Sequence, residues 1–243
     1  MAPVTADSIV ADLVVERPAR SRVFQAFRLD FCCGGKHSLT EACERRRVDV
    51  AEVLKALRES DATGAEDADI DVSGLSLVEL ADHIEQTHHA YLKQELPRLE
   101  RMIHKVAAVH GGNYPWMREV LAVYQPLAAE MDAHMMKEEQ VLFPLIRDLA
   151  SGGAGASPCG RTVAQPIAAM EHEHDDAGAA LERMRTLTSD YTPPADACNT
   201  FRAALDGLRE LEADMHRHVH KENNVLFPAA LRLDRERAGA QTV

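Results

Sequence analysis

The sequence predicts an all-α protein: a small helical N-terminal unit followed by a bundle of four long helices. Three observations carry that expectation. Aromatic residues make up only 5% of the 243 residues, while Leu, Ala and Val dominate the 46% hydrophobic share, a composition that favours helix. Apolar residues recur at helical spacing along most of the chain. One phrase also occurs twice, as His134-Met-Met-Lys-Glu-Glu-Gln-Val-Leu-Phe-Pro144 and as His218-Val-His-Lys-Glu-Asn-Asn-Val-Leu-Phe-Pro228. In both copies a His and a Glu stand four apart, on one helical face.

The first unit is expected over residues 1–60. Val23, Phe24, Phe27 and Phe31 form an apolar stripe, which Cys32-Cys33-Gly34-Gly35 ends. Ser38 or Thr40 can open a further helix ending near Arg47, and Val50, Val53, Leu54 and Leu57 mark another. Residues 61–74 are small and acidic and read as a linker. The bundle is expected over 75–243. Its helices run from about 76 to 109 with a kink at Pro97, 115 to 150, 162 to 189, and 195 to 236. Gly111-Gly112-Asn113, the Gly-rich stretch from Ser151 to Pro158, and Tyr191-Thr-Pro-Pro194 separate them. Pro144 and Pro228 fall inside the second and fourth helices, where each removes a backbone donor.

The bulk numbers narrow the partners. A net charge of −12 argues against nucleic acid and against an anionic membrane surface. No apolar run reaches the ~18 residues a bilayer needs, and the start Met-Ala-Pro-Val-Thr-Ala-Asp lacks the pattern of a signal peptide. The five cysteines form no C-x-x-C and no even framework, as expected of thiols in a reducing cytoplasm.

The repeat organises the histidines. His89 precedes His134 by 45 positions and His174 precedes His218 by 44. Each half then offers one His from one helix and a His-x-x-x-Glu pair from the next. Four imidazoles and two carboxylates (His89, His134, Glu138, His174, His218 and Glu222) are too many for one structural zinc. They suit two metal ions bridged by Glu138 and Glu222, with iron, manganese and zinc all compatible. Carboxylate-rich bundles use a related but different spacing. Several registers compete. His88 stands beside His89, and His172 near His174. His216 and His220 are also four apart, and read as a solvated face. Glu130 and Asp214 each precede a central His by four, either as outer carboxylates that fix its tautomer or as an ordinary charged face. Cys32 and Cys33 are either a redox or iron site or incidental to a tight Gly turn. Cys43, Cys159 and Cys198 read as structural.

Several phrases carry a family resemblance: Phe31-Cys-Cys-Gly-Gly-Lys36, Asp82-His-Ile84, Glu95-Leu-Pro97, His134-Met-Met-Lys-Glu-Glu139, Glu173-His-Asp175 and Glu222-Asn-Asn-Val-Leu-Phe-Pro228. Over nearly its whole length the chain resembles the RIC (repair of iron centres) family, the di-iron iron–sulfur cluster repair proteins of the YtfE, ScdA and DnrN type. The resemblance implies an N-terminal ScdA-like domain and a hemerythrin-like four-helix bundle. The family's iron ligands fall on His89, His134, Glu138, His174, His218 and Glu222, and its paired cysteines on Cys32 and Cys33. Relatives have Tyr-His where this chain has His88-His89. The resemblance further implies a cytoplasmic protein, monomer or dimer, holding two non-haem irons bridged by carboxylate or oxygen. Its partners would be iron–sulfur proteins damaged by nitrosative or oxidative stress. Nitric oxide or oxygen would be the small ligand. The site would act by iron donation, by binding nitric oxide, or by a nitric oxide reductase-like activity. A hemerythrin-like nitric oxide or oxygen carrier or sensor is the rival reading, and the appended Cys-Cys unit disfavours it.

Overall fold

The computed structural model describes residues 3–63, 72, 74–152 and 162–240. It is all-α. Among the described residues there is no strand, only an isolated bridge between Ile9 and Ser38. The chain groups into two compact units. One comprises Met1–Leu80 together with His216–Val243, and the other comprises Ala81–Met215. The division expected at residue 75 follows chain order, whereas this grouping sets the C-terminal segment with the first eighty residues.

The first unit opens with α1 (Val10–Glu16), α2 (Arg20–Ala26), α3 (Leu39–Arg46) and α4 (Val50–Thr63). Helix α4 continues three residues into the expected linker, whose other residues, apart from Val72 and Gly74, lie outside the described ones. Ser38 caps α3 in a reciprocal box with Glu41, and Arg47 closes it in the left-handed conformation. Arg28, at φ 57°, turns the chain after α2, and the Leu29 N–H returns to the Phe24 carbonyl. Phe31 therefore lies beyond the helix rather than on its stripe, yet it is buried. A buried Arg20 guanidinium ties α2 to α4 through both oxygens of Asp61, at 3.0 and 2.8 Å, and also binds Glu16 and the Leu13 carbonyl.

The second unit holds most of the four-helix bundle. Its first helix comprises α5 (Leu77–Ile84), a π-helical turn π1 (Glu85–His89) and α6 (Ala90–His110). Helix α6 runs through Pro97 without interruption. The next comprises α7 (Trp116–Lys137), π2 (Glu138–Leu142) and α8 (Phe143–Ala150). The others are α9 (Ala164–Leu187) and α10 (Asn199–Lys221). Helix α10 continues into π3 (Glu222–Leu226) and α11 (Phe227–Ala240), which belong to the first unit. Each bundle helix buries an apolar face: Leu92, Leu96, Leu99 and Ile103 on α6, Val120, Tyr124, Leu127 and Met131 on α7, Ile167, Met170, Ala177 and Leu181 on α9, and Phe201, Leu205, Leu208 and Met215 on α10. Burying such a side chain contributes about 1.5–3 kcal/mol. The ligand candidates continue these stripes. His134 follows Met131 on α7, and His174 lies between Met170 and Ala177 on α9. No helix of the described residues is long and apolar enough to cross a membrane.

Candidate metal centre

The π turns place the candidate ligands. A π turn holds one more residue than an α turn, is rare, and frequently sits at a functional site. Here there are three among the described residues, and each begins or ends on a candidate: π1 ends at His89, π2 starts at Glu138 and π3 at Glu222. In each, a wide backbone bond closes the ring. The N–H groups of Ala90, Phe143 and Phe227 reach the carbonyls of Glu85, Glu138 and Glu222. Pro144 and Pro228, which offer no N–H, come directly after in both copies of the repeat. In both copies the turn widens just before the proline that lacks the donor.

In the bundle, His89, His134, Glu138 and His174 are brought together, all at most 1% exposed. The Glu138 Oε2 lies 3.3 Å from His89 Nε2 and 3.4 Å from His134 Nε2. His174 Nε2 lies 3.1 Å from His134 Nε2. His89 Nδ1–H donates to Glu139 Oε1 and His134 Nδ1–H to Glu173 Oε2, both at 2.8 Å. These outer bonds assign the inner Nε2 as the lone-pair nitrogen. Neither oxygen of Glu138 accepts a hydrogen bond, although both are buried. A buried carboxylate facing lone pairs is costly, and a cation at their focus removes the cost. The donor set therefore fits a metal ion, with imidazole and carboxylate suiting iron, manganese or zinc. In the first unit, His218 Nε2 and Glu222 Oε1 are 3.0 Å apart and fully buried.

The outer carboxylates share a second feature. The Lys93 ammonium binds both oxygens of Glu139, and that of Lys137 binds Glu173. Burial alone raises both glutamates, but the lysines and the imidazole N–H groups outweigh it and hold them below the usual carboxylate range. Beside His134 a cavity of about 260 Å³ is lined by Glu130, Lys137, Glu173 and Asp176 among others.

The competing registers separate. His172 is exposed, near Asp176, whereas His174 faces inward. His88 is buried as well, but it pairs with Asp214 at 3.0 Å and is edge-on to His83. Asp214 thus serves His88, and Glu173 rather than Glu130 serves His134. His220 is 5% exposed and His216 half-buried. Both pack against the Phe31 ring, so the expectation of a solvated face fails because the Phe31 loop covers it. Glu139 and Glu173 escaped sequence reasoning, although each sits one residue from a candidate ligand.

Cys32 and Cys33 lie on a turn built by Asp30, whose carboxylate accepts the N–H groups of Cys32, Cys33 and Gly34 at 2.9–3.0 Å. The sulfurs are 3.7 Å apart, beyond the ~2.05 Å of a disulfide. The neighbouring Cys33 thiol, burial and the Asp30 charge push the Cys32 thiol well above its ordinary value. Gly35 is required here. A Cβ would sit 2.5 Å from the Phe31 carbonyl oxygen and 2.8 Å from the Ala11 Cβ.

Comparison with known proteins accounts for both parts of the chain. The hemerythrin HHE cation binding domain family matches residues 80–230. ScdA_N, described as a domain of unknown function (DUF542), matches residues 6–61. The iron-sulfur cluster repair protein YtfE of Musicola paradisiaca is 40% identical over 223 residues, covering 92% of this chain and 96% of that protein. A probable iron-sulfur cluster repair protein of Haemophilus influenzae is 37% identical over 91% of this chain and 96% of its own length. YtfE of Escherichia coli O157:H7 is 37% identical over 93% and 97%. With an HHE domain, an ScdA-type N-terminus and such likeness from end to end, the chain belongs to the YtfE family of iron–sulfur cluster repair proteins.

Proposed function

We propose that the chain repairs iron–sulfur clusters damaged by nitrosative or oxidative stress. Its centre is two non-haem irons held by His89, His134, Glu138, His174, His218 and Glu222. On this reading residues 75–243 are the iron-bearing bundle, and residues 1–60, joined through 61–74, carry the thiols. The protein acts in the reducing cytoplasm. The observation that supports it best is Glu138: a buried carboxylate without a hydrogen-bond donor, facing two imidazoles whose outer nitrogens are already committed. The repeated His-x-x-x-Glu and the matching turns π2 and π3 support a second, equivalent half-site at His218 and Glu222. When bound, the irons supply releasable metal and an open position for nitric oxide.

The chain's own residues do the rest. Glu138 and Glu222 would supply the negative charge that the cations need. Glu139 and Glu173 hold His89 and His134 in the metal-binding tautomer. The cavity beside His134, with three carboxylates on its wall, offers a cation a route in or out. Cys32 and Cys33 act in repair rather than in holding the bundle's iron.

Iron analysis with a repair assay tests this. Wild-type protein should hold two irons per chain and restore a cluster enzyme inactivated by nitric oxide. Glu138→Gln removes a charge that both cations need, and should lose at least one iron and most of the repair. Full dinuclear occupancy in Glu138→Gln would assign the bridge elsewhere. Repair by iron-depleted protein would overturn iron donation. Reversible nitric oxide or oxygen binding without any repair would favour the carrier reading.

A further inference from the structure

The two copies of the repeated phrase are used differently. In the first copy Met136 and Gln140 are exposed. Their counterparts 84 positions on, His220 and Asn224, are turned onto the cysteine turn. His220 Nδ1–H donates to the Phe31 carbonyl at 3.0 Å, and its ring packs 5.6 Å from the Phe31 ring. The Asn224 amide donates to the Cys32 carbonyl at 3.0 Å and to that of Phe31 at 3.4 Å. Asp30 meanwhile holds the N–H groups of the same turn. The turn is therefore held on both of its polar edges, by its own aspartate and by a distant helix. That helix segment carries the His218–Glu222 pair. His220 lies between the two, and Asn224 is inside the π turn that Glu222 begins.

We propose that His220 and Asn224 are positioning residues that fasten the Cys32–Cys33 turn to the π turn presenting Glu222, and so govern access to the two thiols. A π turn can revert to α by passing its extra residue along the helix. That shift would re-aim Glu222 and Asn224 together, so the state of the carboxylate and the exposure of the thiols are linked and the link is reciprocal. The assignment of Glu222 to a metal rests on the repair reading, whereas the fastening itself does not.

Iodoacetamide labelling of the full chain, resolved by peptide mass spectrometry, separates the two. In metal-free protein, Asn224→Asp replaces the donor by an acceptor of the same shape. Cys32 and Cys33 should then alkylate about tenfold faster, the effect of releasing one ordinary hydrogen bond. His220→Leu should do the same, and His220→Gln, which keeps a donor, should stay near the wild-type rate. Buried Cys43 serves as the control. Unchanged Cys32 and Cys33 rates in both Asn224→Asp and His220→Leu would overturn the proposal, as would equal acceleration of Cys43, which reports general loosening. Ferrous iron should change the Cys32 and Cys33 rates in wild type and leave Asn224→Asp unaffected. An iron-induced slowing that persists in Asn224→Asp would place the metal on the thiols and overturn the link. A wild-type chain that binds no iron would overturn the repair reading, with the metal-free comparison still deciding the fastening.

Discussion

His172 and His174 stand two positions apart on one helix, and only His174 points into the bundle. The 44-position offset in the sequence favours His174 because a repeat preserves helical phase, and the burial agrees. His88 and His89 were harder, since both are buried; a residue's neighbour can be turned inward toward a different partner, as His88 is toward Asp214. Ion pairs between distant segments left no mark at all. Arg20 and Asp61 are 41 positions apart, and nothing in either neighbourhood announces the pair. It carries a prediction. The Arg20 hydrogen bonds hold the Asp61 carboxyl below the usual range, against the opposing effect of burial. A depressed folded-state pKa gives stability that is present above the unfolded value near 3.9 and lost as pH falls through the lower folded value. Asp61→Asn should therefore cost about 1–3 kcal/mol in urea unfolding at pH 7, since it strips a charged partner from a buried guanidinium. The gap to wild type should begin to narrow below about pH 4. An equal gap at pH 3 and pH 7 would mean the charge of Asp61 does not matter.

Among the elements, the long bundle helices and the capped α3 were legible because apolar spacing and a Ser-x-x-Glu box are local signals. The π turns were not, because one extra residue leaves composition unchanged and merely shifts the helical phase of the next segment. Only the pairing of a candidate ligand Glu with a proline six residues later hinted that the helices depart from regularity there. Gln140 is a polar, exposed residue of π2, so its deletion tests the role of the turn directly. Removing it restores α spacing and rotates Glu138 by roughly 100° relative to the segment after it. Helix content by circular dichroism should stay near wild type while iron content falls by at least half. Retained iron would show that the wide turn is not needed to aim Glu138.

At the scale of the whole molecule, the net charge of −12 sets the ionic surroundings in which the centre works. The six proposed ligands are nearly without solvent exposure, which suggests a metal indifferent to the medium. The Lys93–Glu139 and Lys137–Glu173 pairs say otherwise. Each lysine is about half exposed, at 53% and 48%, and each holds a carboxylate that steadies a buried imidazole. Such surface ion pairs are weakened by dissolved salt. Background electrolyte thus has a lever on the interior: as it loosens the lysines, Glu139 and Glu173 gain freedom and His89 and His134 lose their orientation. Iron should dissociate to a chelator several-fold faster at 1 M than at 0.05 M sodium chloride, and Lys93→Met combined with Lys137→Met should abolish that difference. A salt effect surviving the double replacement would trace it to another part of the molecule. On the repair reading, the retention time of a buried metal would be tuned by two side chains that never touch it, and a cell's changing salinity would become an input to how readily its iron is given up.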